Sequence, residues 1–504
     1  MTFKVQLTTL TPVHIGNGVK YKANIEVFRE GEYIYFIDPV KIYNILGKKG
    51  INKWTEFIIN DNKESLKNFL EFLNINDIEK ITKKKCFLVN SSFNKKIKDV
   101  HEQYFNPLIG PCIPGSSIKG AIKTALFYYI SEYNFNLLNL NDLKDTSKKK
   151  VTWTSEVADK KFFGDEANFK STKFLKVGDA SFEKVETKIY PLIALNAKDD
   201  ADKGNWEFNG KIANFYEAIP DNSKTVFQFS IDEQILELNK KFKSDKWKDI
   251  KTDFLSKELI NIVNESYKSI VKKEYKTFKN LEIDKIAKNF LETYEKILEE
   301  FERLSNNEFI LRIGGCVGYN FITLRWFDQL PFFKPIETNT NYKELRKLIQ
   351  NKSRTNKIHK ENNWPRTRKI VTDGTLLGFI KLRILDENEY LKLINEEITG
   401  SKIHTNPEKI GYENNKITSI FEEKLHKIPQ PYKGKLAQGI SKIPAVVIKS
   451  GKPNLIRLLI ENNETEINLS GYASEIKEGT YIYVRLTEYS KGQIKRVNYD
   501  SEYK

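Results

Sequence analysis

Residues 112–130, CIPGSSIKGAIKTALFYYI, combine a Pro-Gly turn signal with the pattern of an amphipathic helix. The apolar residues that recur at helical spacing are Ile118, Ala121, Ile122, Ala125, Leu126, Tyr129 and Ile130. This spacing places them on one face of an α-helix. Ser116 or Ser117 is a suitable N-cap, and Pro114 prevents the helix from starting earlier.

The first turn of this predicted helix has features that suit an anion. Its backbone N–H groups lack partners within the helix, and the helix dipole is positive at this end, so phosphate is attracted. Gly120 leaves room for a ligand backbone to approach, and Lys119 and Lys123 lie on one edge outside the apolar face. An ordinary capped helix with two solvated lysines has the same pattern, so both interpretations stay open on this stretch alone.

The composition indicates a polyanionic partner. The chain of 504 residues contains 83 Lys and Arg against 67 Asp and Glu, a net charge of +16. A genome that uses lysine heavily explains the abundance of lysine but not this excess of positive over negative charge, which favours nucleic acid. Three widely spaced cysteines predict neither a disulfide framework nor a zinc site. The N-terminal stretch alternates as a strand does, and no segment resembles a signal peptide or a membrane span. We therefore expect a cytoplasmic protein without metal or cofactor.

The hydrophobic pattern along the chain predicts an α+β protein. Apolar residues at helical spacing over 254–271 and 283–301 indicate a helical insertion, and about five short strands after residue 443 indicate a small β-barrel of the OB or cold-shock kind. The expected segments are an N-terminal domain with insertions over 1–230, a helical insertion over 231–305, a second unit with a glycine-rich loop over 306–400, a linker over 401–443 and a C-terminal barrel module over 444–504.

The segment TPVHIGNGVKY, residues 11–21, follows the first predicted strand. Gly16 and Gly18 lack the third glycine and the following helix of a dinucleotide-binding loop, so we exclude that function. The glycines suit close approach to an RNA backbone. His14 is either a packed histidine that donates a hydrogen bond or an acid/base group for RNA cleavage.

Two further segments offer contacts to RNA. In GGCVGYN, residues 314–320, Gly314, Gly315 and Gly318 form either a tight turn or a second loop that surrounds phosphate. In NWPRTRKIVTDG, residues 363–374, the side chains of Arg366, Arg368 and Lys369 suit phosphate contact and base stacking beside Trp364. A solvated charged loop is the alternative for this third segment.

These motifs occur in one order, and together they resemble a known family. TPVHIGNG lies at residues 11–18, IPGSSIKGAIKTAL at 113–126, LRIGGCVGYNFIT at 311–323 and WPRTRKIVTDGTLLGFIKLRI at 364–384. The set is similar to the RAMP superfamily of CRISPR effector subunits, and more narrowly to the fifth Csm subunit of type III-A complexes. The resemblance covers residues 1–390.

The resemblance implies both a fold and a function. RAMP proteins are built on ferredoxin-like β-α-β-β-α-β units similar to the RRM. The implied function is that of an RNA-binding subunit that caps the backbone filament around the 3′ part of the CRISPR RNA (crRNA) and is needed for crRNA maturation and antiviral defence. The implied partners are the crRNA, the Csm backbone subunits and, as a further candidate, the small helical subunit, with indirect contact to target RNA and none to a membrane.

By the same resemblance, the residues implied to face RNA are His14, Gly16, Gly18, Ser116, Ser117, Lys119, Gly120, Lys123, Gly314, Gly315, Gly318, Arg366, Arg368 and Lys369. Two departures from the family pattern stand out. Residues 320–323, NFIT, replace a serine-lysine pair after the glycine-rich loop, and residues 19–24, VKYKAN, lack the aspartate that related filament subunits use for metal-dependent target cleavage. We therefore expect a non-catalytic subunit. The alternative is an endoribonuclease that processes the CRISPR precursor RNA, with His14 as acid/base.

Overall fold

The computed structural model divides the chain into two compact units, Met1–Lys392 and Leu393–Lys504. The residues that the structure describes are 2–23, 25–60, 78–90, 99–133, 137–147, 151–164, 170–197, 206–232, 258–279, 285–334, 339–350, 365, 367–391, 432, 434, 436–460, 463–470, 472, 475–477, 480–490 and 493–502. The predicted linker over 401–443 therefore falls mostly outside the described residues.

The first unit mixes strands and helices, as predicted. Its strands are β1 (Thr2–Thr9), β2 (Gly16–Lys22), β3 (Val27–Glu30), β4 (Tyr33–Ile37), β5 (Thr82–Leu88), β6 (Asp99–Gln103), β7 (Phe105–Asn106), β8 (Gly110–Ile113), β9 (Lys144–Asp145), β10 (Thr152–Trp153), β11 (Leu175–Val177), β12 (Ala180–Ser181), β13 (Lys188–Ala197), β14 (Trp206–Ala218), β15 (Lys224–Ile231), β16 (Glu308–Arg312), β17 (Thr367–Val371) and β18 (Phe379–Leu385). Its α-helices are α1 (Pro39–Asn60), α2 (Gly115–Tyr133), α3 (Glu156–Phe163), α4 (Leu259–Phe278), α5 (Lys285–Glu302), α6 (Tyr319–Thr323) and α7 (Thr340–Gln350).

One sheet of five strands has the order β11-β15-β1-β18-β16, and every neighbouring pair is antiparallel. The predicted alternation of β1 is confirmed, because Val5 and Leu7 are fully buried on one face. Strand β1 and all but the last residue of β15 come from residues 1–230, whereas β16 and β18 come from residues 306–400. The two segments that we expected to form separate units therefore share one sheet.

Helix α2 follows the predicted helical pattern. The buried residues of its apolar face are Ile118, Ile122, Ala125, Leu126 and Ile130. Helix α2 packs against α4, where the Ser266 and Tyr267 hydroxyls donate to the Ala125 and Ala121 carbonyls at 3.3 Å each. This contact joins the predicted helical insertion to the core of the first unit.

A second sheet has the strand order β2-β6-β14-β13-β5-β4-β3, and β17 pairs with β13 beside this path. A register shift between Leu192 and Ala194 interrupts the pairing of β13 with β14. Strand β2 is exposed along most of its length and forms an edge. The glycine-containing segment 11–21 thus ends in an accessible edge strand.

A buried ionic network connects the helical insertion to the sheets. Glu274 on α4 accepts from the Nε and an Nη atom of Arg368 on β17, both at 2.7 Å. Asn320 at the start of α6 donates to the same carboxylate at 2.5 Å, and Tyr294 on α5 donates at 3.2 Å. Burial raises the pKa of Glu274, but Arg368, Asn320 and Arg312 outweigh burial and hold that pKa below its usual range.

The second unit is a closed barrel of five strands, which confirms the predicted small β-barrel. Its strands are β19 (Ile443–Lys449), β20 (Leu455–Ile460), β21 (Asn463–Ser470), β22 (Tyr481–Ser490) and β23 (Gln493–Glu502), in the order β19-β20-β21-β23-β22. Alternate residues of β22, Ile482, Val484 and Leu486, are buried in its own core. Tyr481, Tyr483 and Arg485 therefore lie on the outer face.

Glu274→Gln is expected to destabilise the first unit by about 3–5 kcal/mol, because it leaves buried guanidinium groups without a counter-ion. Chemical denaturation of the full chain at neutral pH measures this loss. The control Glu295→Gln, at an exposed partner of Tyr275, should change stability by less than about 1 kcal/mol.

Wild type and Glu274→Gln also test how stability depends on pH. The folded-state pKa of Glu274 is lowered. The contribution of the ionised carboxylate to stability is therefore present above the ordinary pKa of 4.5 and is lost as pH falls through the folded-state pKa. We therefore expect the stability difference between wild type and Glu274→Gln to shrink below about pH 4.5. A difference independent of pH would contradict the ionised network.

A chain that ends before Pro429 is expected to retain the thermal transition of the first unit with little change in melting temperature. The barrel has its own core, so its removal takes no residue from the core of the first unit. Differential scanning calorimetry measures both transitions. The matched variant Val484→Asp in the full chain should remove only the barrel transition, since a buried charge costs roughly 3 kcal/mol or more. Loss of the first transition in either protein would show one shared core.

Candidate nucleic-acid interface

The two glycine-containing segments contact each other. The Gly315 N–H donates to the His14 carbonyl at 2.8 Å, although the residues lie on different loops at the ends of β1 and β16. Gly314 has a φ of +93°, and a side chain at this position would collide with the same carbonyl. Glycine at 314 is thus required by both conformation and space.

Gln103 places the first glycine-containing segment beside the entry to α2. Its fully buried amide accepts from the Ile15 N–H at 2.9 Å and donates to the Cys112 carbonyl at 3.1 Å. Cys112 lies on β8, which leads directly into α2. Sequence inspection missed this residue because an isolated glutamine has no local pattern that marks such a role.

The start of α2 differs from the prediction of a serine N-cap. The helix begins at Gly115, where a side chain would collide with the Val177 carbonyl, and the Gly115 N–H donates to the Asp179 carboxylate at 2.7 Å. Asp179 therefore caps this end and offsets part of the positive dipole. Ser116 is exposed and Ser117 is partly buried, one turn before Gly120.

The two lysines of α2 have different environments. Lys123 forms an ion pair with Asp159, which also binds Lys170 at 2.7 Å. The expectation of a phosphate contact from Lys123 therefore conflicts with its position, because its charge is already paired. Lys119 is partly buried, and burial followed by repulsion from Lys123 lowers the pKa of its ammonium. Beside it, Gly120 is exposed and adjoins open space.

The glycine-rich loop continues into α6, which lies beside α2. Gly318 precedes α6 with a φ of +85° and open space around it. Thr124 on α2 lies 3.4 Å from the Ile322 carbonyl, to which its hydroxyl donates. The structure thus brings the start of α2 and both glycine-containing segments onto one part of the first unit.

The arginine-rich segment is divided between the core and the surface. Arg366 and Trp364 lie outside the described residues. Arg368 is 7% exposed and is held by Glu274, so the expected RNA contact from this guanidinium conflicts with its burial. Lys369 is partly exposed on the opposite side of β17, as alternation requires.

His14 occupies a buried position. It is 3% exposed, and its Nδ1 lies 2.6 Å from the Glu217 carbonyl oxygen. Burial of the ring, with a smaller effect of His101, lowers its pKa to about 4. The ring is therefore neutral at pH 7 and packs within the protein, which fits the packed-histidine interpretation better than an acid/base role.

No cluster of His, Cys, Asp and Glu among the described residues has the arrangement of a metal site. Within the same part of the chain, no helix is long and apolar enough to cross a membrane.

Comparison with known proteins identifies relatives over most of the chain. A protein from Methanocaldococcus jannaschii named CRISPR system Cms protein Csm5 is 24% identical over 416 residues, 77% of this chain and 90% of the relative. A protein of the same name from Streptococcus thermophilus is 33% identical over 143 residues. That match covers 26% of this chain and only 40% of the relative's length.

A solved structure of an RNA-containing complex shows a similar fold. A chain of a Csm–crRNA–target RNA ternary complex of a type III-A CRISPR-Cas system has a TM-score of 0.55 and 20% identity, over 76% of this chain and 100% of that chain. The crystal structure of T. onnurineus Csm5 has a TM-score of 0.48 and 18% identity, over 75% of this chain and 100% of that chain. The family model named RAMP superfamily matches residues 6–319, more than half of the 504 residues. The chain therefore belongs to the RAMP superfamily.

Proposed function

We propose that this chain is an RNA-binding subunit of a type III-A CRISPR (Csm) effector complex. The observation that carries the proposal is the contact of the two glycine-containing segments, Gly315 N–H to His14 carbonyl, beside the start of α2. Glycines and an accessible lysine let an RNA backbone approach closely. The named relatives and the RNA-containing assembly support the same class of complex.

The strand order supports a ferredoxin-like unit within this fold. Strands β1, β11, β15 and β18 have the order β11-β15-β1-β18, with α2 after β1 and α4 and α5 between β15 and β18. This is the arrangement of a β-α-β-β-α-β unit, which RRM proteins use to bind single-stranded RNA. The similarity to RRM proteins favours RNA as the polyanionic partner that the net charge of +16 implies.

Within the complex, we place the chain at the end of the backbone filament, on the 3′ part of the crRNA, in a role needed for crRNA maturation and antiviral defence. Its neighbours would be Csm backbone subunits, with target RNA reached through the guide. The proposed contact residues are Gly16, Gly18, Ser116, Ser117, Lys119, Gly120, Gly315, Gly318, Arg366 and Lys369. Reconstitution of the complex with and without this chain tests the position, since loss of the chain should expose the 3′ end of the crRNA to nuclease.

Lys119→Glu is expected to weaken binding of single-stranded RNA about tenfold, because a charge-assisted phosphate contact is replaced by repulsion. Fluorescence anisotropy at several salt concentrations measures the affinity, and the slope of log K against log salt should fall by about 0.7. Lys276→Glu, at an exposed lysine of α4, is the matched control, and its affinity for RNA should stay closer to that of wild type. Equal losses in both variants would indicate a general charge effect instead of a site.

Lys123→Glu is expected to behave differently from Lys119→Glu. It places a carboxylate against Asp159, so the first unit should lose stability by roughly 1–3 kcal/mol. Thermal melting of the two variants separates the structural lysine from the RNA-binding lysine. Unchanged stability of Lys123→Glu would show that the Asp159 pair contributes little.

Incubation with CRISPR repeat RNA tests the endoribonuclease alternative. We expect no site-specific cleavage by the wild-type chain, and a lower melting temperature for His14→Ala, because the ring fills a buried position. Site-specific cleavage that disappears in His14→Ala would support the enzyme and contradict the non-catalytic role.

A further inference from the structure

A row of three side chains crosses one face of the second sheet near its exposed edge. Lys20 on β2 lies opposite His101 on β6, and His101 lies opposite Tyr216 on β14. Residues that face each other on neighbouring strands share one face of a sheet. All three side chains are at least partly exposed.

The His101 and Tyr216 rings are stacked on each other. Their centroids are 4.3 Å apart and the ring planes differ by 12°. The buried His14 ring supports the pair from the side, with its centroid 5.0 Å from that of Tyr216 at 73°. The two rings therefore form a short stack that His14 packs against edge-on, and a base can extend this stack on the outer face of His101, on the side of Lys20.

Two lysines place positive charge near this pair. Burial, then Lys20 and Lys369, lower the pKa of His101, opposed by Asp99. The ring is thus a neutral aromatic at pH 7, and the charge comes from the lysines. Among the residues that the structure describes, neither Lys20 nor Lys369 has a carboxylate in ion-pair contact.

The pair adjoins the glycine-rich loop. Cys316, between Gly315 and Gly318, packs against the same hydrophobic cluster as Tyr216 does, around Leu192 and Val371. His14, which packs against Tyr216, accepts through its carbonyl from Gly315. An RNA backbone that passes the glycines would carry a neighbouring base within reach of the aromatic pair.

We propose that His101 and Tyr216 form a stacking platform for one base of single-stranded RNA, and that Lys20 and Lys369 contact the adjoining phosphates. Aromatic rings bind bases of any sequence, as a guide-binding protein requires. The stacking of a base on these rings distinguishes this site from a site that contacts only the phosphates of RNA. This inference rests on the proposed RNA-binding function and adds a base-recognition site to it.

The test uses the full chain with two labelled probes of equal length, an oligouridylate and an oligomer of abasic ribonucleotides. His101→Ala should weaken oligouridylate binding about tenfold and leave the abasic probe within about twofold. His101→Phe keeps a flat ring and should bind oligouridylate as wild type does. Lys20→Ala should weaken both probes to a similar extent, because it removes a phosphate contact.

Tyr133→Ala is the matched control, since this tyrosine is 62% exposed at the far end of α2 and should leave both affinities unchanged. The proposed platform is contradicted if wild type binds oligouridylate but His101→Ala binds it equally well. It is also contradicted if His101→Ala loses affinity for both probes to the same extent. If wild type binds neither probe, the proposed RNA-binding function itself fails. Recovery of affinity in His101→Phe, with the loss in His101→Ala confined to oligouridylate, establishes the platform.

Discussion

The buried carboxylate of Glu274 is the constraint on which the arrangement of the first unit depends. It binds Arg368 on β17, Asn320 on α6 and Tyr294 on α5, so one side chain of α4 connects the second helix of the insertion to α6 and to a strand of the second sheet. An unpaired charge at this depth would strongly destabilise the folded state, so all of these partners must be in place in the folded protein. The glycine-rich loop lies just before Asn320, so its position follows from this network.

The position of the glycine-rich loop in turn affects the candidate RNA-binding surface. Asn320 holds the end of the glycine-rich loop, while Gly315 binds the carbonyl of His14 at its centre. Gln103 connects the neighbouring Ile15 to Cys112 at the entry of α2. Three distant motifs therefore converge through buried hydrogen bonds, and the exposed glycines and Lys119 remain on the outside for a ligand.

The structure separates cations that stabilise the fold from cations available to a polyanion. Arg368 and Lys123 are bound to Glu274 and Asp159, so the charges of these two cations from the sequence motifs are already neutralised within the protein. Lys119, Lys20 and Lys369 retain partial or full exposure. They lie on α2, β2 and β17 of the first unit.

The sequence by itself determined the local elements, because hydrophobic spacing and turn residues act over short distances. The apolar face of α2, the alternation of β1, the helices of the insertion and the small C-terminal barrel all follow from such patterns. Only the tertiary structure decided which polar residues face each other. Arg368 and Lys123 look like solvent-exposed cations in the sequence, but carboxylates distant in the chain hold them. Asp179 replaced the predicted serine cap, and His101 met Tyr216 across two strands, because such pairings depend on register and packing between segments that local patterns do not specify.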